Sequence, residues 1–156
     1  MRNVATKIRI DRTNSMGLWT YARYYLLAAE KLSQSNEISI PAYYLVSHSI
    51  ELALKAFLMG SGFPLQKLKN MGHDLEKALR CCDSLGLSSY CNFSDEQKFA
   101  IKLINQHYET KELEYIKTGY KQYPQIKLLV TASQTLLGGL KQFCFAQRTT
   151  EDKQDI

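Results

Sequence analysis

The chain has 156 residues, of which 45% are hydrophobic and 22% charged, with 3 prolines and 8 glycines. That length buries a core without staples, and that balance excludes a disordered, collagenous or disulfide-framed chain. A formal charge of +5 is compatible with a polyanionic partner such as RNA without requiring one.

Residues 1–13 read as a short basic arm, in which Ile8 and Ile10 carry a faint strand alternation. Asn14 or Ser15 offers an N-cap, and a first helix follows to about Gln34. Its face is Trp19, Ala22, Leu26 and Ala29, widened by Leu18, Tyr25 and Leu32. A polar link, residues 34–39, has the length usual between packed helices. Pro41 then suits a first helical turn, because its missing N–H has no partner there anyway. The second helix, within the stretch Pro41–Gly62, is apolar nearly all round, as expected of a buried central rod. Gly60, Gly62 and Pro64 end it.

Residues 65–71 read as a basic connector. Asp74 and Glu76 stand where negative charge complements a helix dipole, and Leu75, Ala78, Leu79 and Cys82 repeat as one apolar face. Gly86 closes this third helix. After a loop over 87–93, Ser94 and Gln97 form a capping box for a fourth helix lined by Ala100, Leu103, Ile104 and Tyr108. Residues 109–124, rich in tyrosine and charge and broken by Gly119 and Pro124, read as a partly helical loop. The last helix runs from near Pro124 to about Gln147 on a stripe of Ile126, Leu129, Val130, Ser133, Leu137, Leu140 and Cys144. Gly138 and Gly139 inside it serve a close approach or a kink. Residues 148–156 form a polar tail expected to be disordered. The sum is an all-α chain of four to five helices laid around the central rod over 14–147.

The four cysteines, Cys81, Cys82, Cys91 and Cys144, lack zinc spacing and fit free thiols in a reducing compartment. No metal site and no cofactor motif is expected. No window reaches the ~20 apolar residues of a membrane span, and the N-terminus has no signal-peptide core, so the expected setting is the cytoplasm with no membrane contact.

Three groups of residues carry candidate chemistry. His48, Glu51 and Lys55, at spacings of three and four with Tyr44 one turn earlier, share one face of the central rod. Lys55 there can hold a phosphate and His48 can move a proton; equally, the stripe can be a structural ion pair, a groove or a dimer seam. His73 and Asp74 stand at a helix start, as an anion site or as a plain cap. Tyr115, Lys117 and Tyr120, with Tyr108, Lys111, Lys121 and Tyr123, interleave aromatic and basic groups as a stacking surface for single-stranded RNA does. They equally suit tyrosines that close the open end of a bundle.

Taken together, HSIELALKAFLMGSG at 48–62, the basic connector and GHDLEKAL at 72–79 resemble the HEPN superfamily, a nucleotide-binding domain of higher eukaryotes and prokaryotes. LEYIKTGYKQYP at 113–124 is similar to the late part of some prophage and defence-associated members. The resemblance implies an up-and-down helical bundle that often forms homodimers. It also implies an RNA-processing, antiviral or toxin–antitoxin setting, with RNA, nucleotide or an antitoxin-like protein as partner. Many members are metal-independent ribonucleases with an Arg shortly before a His. Here the arginines are at 2, 9, 12, 23, 80 and 148 and the histidines at 48, 73 and 107, so no such pair exists. Glu51, Lys55, His73 and Asp74 match the family's pattern. The resemblance thus implies a binding module, with a divergent ribonuclease using His48, Glu51 and Lys55, or an inert adaptor bundle, as the alternatives.

Overall fold

Helix starts follow the caps written in the sequence. Asn14 Oδ1 accepts from the Gly17 N–H at 2.7 Å and opens α1, Ser15–Leu32. Ser39 Oγ accepts from the Ala42 N–H at 3.3 Å, with Pro41 in the first turn of α2, Ile40–Gly60. After α3, Leu65–Met71, the Asp74 carboxylate caps α4, Leu75–Ser84. A single 3-10 turn, Leu87–Ser89, leads to α5, Asp95–Tyr108, which opens on the Ser94/Gln97 capping box. The last helix, α6, is Ile126–Glu151. The structure, a computed structural model, describes residues 12–35, 37–115 and 118–151, with side chains through Gln147. Among the described residues the regular structure is entirely helical. The Ile8/Ile10 alternation lies outside them.

α2 is the buried rod. Val46, Ile50, Ala53, Leu54, Ala56 and Leu58 have no exposed surface, and Phe57 almost none. α1 and α6 cover it. Ser15 Oγ donates to the Ala56 carbonyl and Ser49 Oγ to the Ala22 carbonyl, each at 2.7 Å. Positions advance along one helix as they retreat along the other, so α1 and α2 are antiparallel. Against α6 the order is the same in both helices: Tyr43 donates to the Pro124 carbonyl, Ser49 Oγ meets Ser133 Oγ, and Phe57 packs on Phe143. α6 therefore runs parallel to α2. Trp19 Nε1 donates to the Leu137 carbonyl at 2.9 Å and closes the triangle. The Ser47 hydroxyl is also buried, with no hydrogen-bond partner.

Four expectations need correction. The helix count is six among the described residues, not four to five, because 65–71 is a short helix rather than a connector. Leu68 and Met71, one turn apart, bury there, a pattern too brief to read against lysines on either side. The described part of 109–124 holds turns and no helix; Lys111 at φ 60° and Gly119 at φ 127° are incompatible with helical backbone. α6 continues four residues past Gln147, into the tail expected to be disordered. The glycine pair also divides its labour. A Cβ on Gly139 would overlap the Tyr90 carbonyl oxygen, whereas Gly138 has open space around it. The close approach is thus between α6 and the chain leaving the 3-10 turn.

Candidate functional site

Where α2 faces the α3–α4 turn and the end of α5, a polar cluster interrupts the core. Glu51 is its centre, 3% exposed. Lys55, one turn on, places Nζ 2.6 Å from Glu51 Oε1 and donates a second bond to the Gly72 carbonyl at 2.8 Å. His73 Nδ1 lies 3.1 Å from both carboxylate oxygens. Tyr108, the last residue of α5, donates its hydroxyl to Glu51 Oε2. His48 Nδ1 is 2.9 Å from the Tyr108 oxygen and 3.4 Å from Glu51 Oε2. The hydroxyl hydrogen of Tyr108 is used on Glu51, so its oxygen accepts from His48 Nδ1–H.

Local sequence explains each placement. Helical spacing sets His48, Glu51 and Lys55 on one face. Gly72, at φ 67° and ψ −145°, adopts a backbone region that belongs to glycine. That turn aims its carbonyl at Lys55 and the next side chain, His73, at Glu51. Asp74 Oδ1 then accepts from the Lys77 N–H and from Asn105 Nδ2, each at 3.1 Å. Asn105 Oδ1 in turn takes the buried Leu75 N–H at 2.8 Å. The start of α4 is thus occupied by a carboxylate of its own chain and tied to α5.

Burial alone would push the Glu51 carboxyl up. The Nδ1–H of His48, the Lys55 charge and the hydrogen bonds from Lys55 and Tyr108 outweigh it and hold the group at about 2. Burial and then the Glu51 charge push the Tyr108 phenol well above its ordinary range. The centre is an ionised carboxylate held by donors. Each histidine spends Nδ1–H on this network, which leaves Nε2 as the basic nitrogen of the neutral ring. His48 is 20% and His73 41% exposed. His48 is boxed by Tyr25, edge-on at 4.5 Å, and Tyr44, stacked at 5.9 Å.

The sequence-derived candidates therefore divide. His48, Lys55 and His73 converge on the Glu51 carboxylate, and Asp74 sits beside them as a cap. Lys55 spends two of its donors inside the protein, which removes it as an obvious phosphate ligand. Tyr115 and Tyr120 do not join the cluster. They are 68% and 98% exposed on the loop after Tyr108. Lys117 lies outside the described residues. Sequence reading missed Tyr108, Asn105, Gly72 and Tyr25 as members of the cluster. No spacing links position 51 to 105 or 108; only the glycine before His73 carried a signal.

The loop has its own fastening. His107 Nδ1 meets Glu112 Oε2 at 2.8 Å and Nε2 meets the Gln122 carbonyl at 3.0 Å, with Lys121 Nζ 4.0 Å from Glu112. A cavity of about 510 Å³ opens between this loop and the residues leading into α2. Among the described residues no three His, Cys, Asp or Glu side chains are grouped as metal ligands, and no helix is long and apolar enough to cross a membrane. Cys82, Cys91 and Cys144 are buried free thiols, with burial foremost in pushing Cys91 up to about 11. No family model, curated protein or solved structure matches this chain.

Proposed function

We propose that this chain is an HEPN-like helical bundle, homodimeric, that binds RNA or nucleotide in a prokaryotic defence or toxin–antitoxin setting without the usual ribonuclease motif. The observation that carries the reading is the loop after Tyr108. It holds Tyr115 and Tyr120 out in solvent, and Tyr115 and Lys121 line a cavity of ligand size. Exposed aromatic side chains next to cations suit stacking and phosphate neutralisation. The family-like residues Glu51, Lys55, His73 and Asp74 act in this reading as the lock that positions the loop's root. Titration of labelled single-stranded RNA at low salt, by fluorescence anisotropy, tests it. Binding that weakens with salt and is lost in Tyr115→Ala/Tyr120→Ala supports the reading; no binding at low salt removes nucleic acid from it.

One observation favours a second reading, a divergent metal-independent ribonuclease. His73 hangs from an ionised carboxylate and His48 is tied to the same carboxylate through the Tyr108 hydroxyl, each with Nε2 left for proton transfer, the arrangement general acid–base catalysis uses. Purified protein that leaves tRNA and mRNA intact, with or without His73→Ala, rules this reading out.

A further inference from the structure

The cavity beside the loop differs from an ordinary phosphate-binding surface. Its walls include Ile38, Leu113, Tyr115 and Tyr123, and its charged groups are Glu114 and Lys121 together with Glu112. Glu112 is committed to His107 and Lys121. Glu114 is not: among the described residues its carboxylate has no hydrogen-bond or ion-pair partner. Its charge is felt inward all the same, since after burial it is the next cause raising the Tyr44 phenol. A cavity of about 510 Å³ with an exposed, uncommitted double acceptor in its lining favours a ligand that brings donors to it. A phosphate would be repelled by Glu114, and a purely apolar ligand would leave both its oxygens to water alone.

We infer that this cavity is a nucleobase pocket selective for guanine, with Glu114 reading the base, Tyr115 and Tyr123 flanking its faces, and Lys121 meeting the phosphate at the rim. The inference rests on the nucleotide-binding reading above and sharpens it. Guanine alone places two adjacent donors, N1–H and the N2 amino group, on its pairing edge, matched to the two oxygens of one carboxylate. Adenine and cytosine set a donor beside an acceptor, and uracil sets one donor between two acceptors. Each of these turns a lone pair toward Glu114. Discrimination by a good bidentate pair amounts to about tenfold to a hundredfold in affinity.

Calorimetric titration of the full chain with GMP, AMP, CMP and UMP tests the inference, with spermidine as an organic-cation probe. GMP is expected to bind about tenfold or more tightly than the other three. Glu114→Gln, which replaces one acceptor by a donor on an exposed residue, is expected to bring GMP down to their level while circular dichroism stays unchanged. Four equal affinities, or a GMP preference that survives Glu114→Gln, would overturn it. So would binding of spermidine with no nucleotide bound, which would reassign the carboxylate to an organic cation. If RNA binds without base preference, only this inference fails; if neither RNA nor mononucleotide binds, the nucleotide-binding reading fails with it.

Discussion

Lys55 and Glu51 form an ion pair at 2.6 Å on the face of the central helix, and neither side chain opens freely to water. A pair at this depth is weak grounds for stability in itself, yet removing one member leaves a buried charge without its partner. Glu51→Ala is expected to destabilise the fold by about 3–5 kcal/mol, read from urea unfolding. Glu51→Gln combined with Lys55→Met should cost less than the sum of the single changes, because the two share one network. Strict additivity in that cycle would mean the pair is not coupled.

The same carboxylate sets an acid limit. Its folded value, about 2, lies below the ordinary 4.5, so the unfolded chain takes up the proton first. Its stabilisation is complete above about pH 4.5 and drains away as pH falls toward 2, a loss on the order of 3 kcal/mol. Urea midpoints at pH 7 and pH 2.5 for wild type and Glu51→Gln check this. The gap between the two proteins should narrow at low pH. A constant gap would place the acid sensitivity elsewhere.

The adjacent glycines of α6 should respond in opposite directions. Gly139→Ala drives a methyl into the Tyr90 carbonyl and is expected to lower stability by about 1–3 kcal/mol. Gly138→Ala meets open space on an exposed helical position and should raise it by about 0.5–1 kcal/mol. Thermal melts of the two variants side by side decide it.

Asn105→Ala leaves the buried Leu75 N–H without an acceptor and releases Asp74. The expected loss is about 1–3 kcal/mol, with hydrogen exchange at the Leu75 amide accelerated ahead of α2 amides. Equal acceleration in both would indicate global weakening instead of local release of α4.

Ser47→Ala should be neutral or stabilising. The hydroxyl is buried without a partner, so its removal abolishes a desolvation penalty, and alanine is the better helix former. A melting temperature below wild type would show that Ser47 is satisfied in solution by something else, such as water.

Much of the architecture was legible because it is local. Asn14, Asp74 and Ser94 each cap a helix within a few residues of themselves, and the apolar run of α2 announces its own burial. The face shared by His48, Glu51 and Lys55 follows from helical spacing alone. What stayed hidden depends on contacts across the chain. Tyr108 read as an ordinary core tyrosine, yet its hydroxyl completes the shell of Glu51. Asn105, on a polar–apolar boundary of α5, gave no hint that it stitches two helices. Gly139 looked like a helix–helix contact because nothing in α6 records that the Tyr90 carbonyl passes beneath it.

The hydroxyl of Ser49 touches two other helices at once, the Ala22 carbonyl on one side and Ser133 on the other. One serine therefore joins segments more than a hundred positions apart in the chain. A nascent polypeptide of which only the first two helices have been made still lacks the strut that seals one greasy flank of the second. That flank is sealed only when the stretch beyond Gln125 packs against it, so the early helices keep an apolar face until a much later part of the chain has been synthesised.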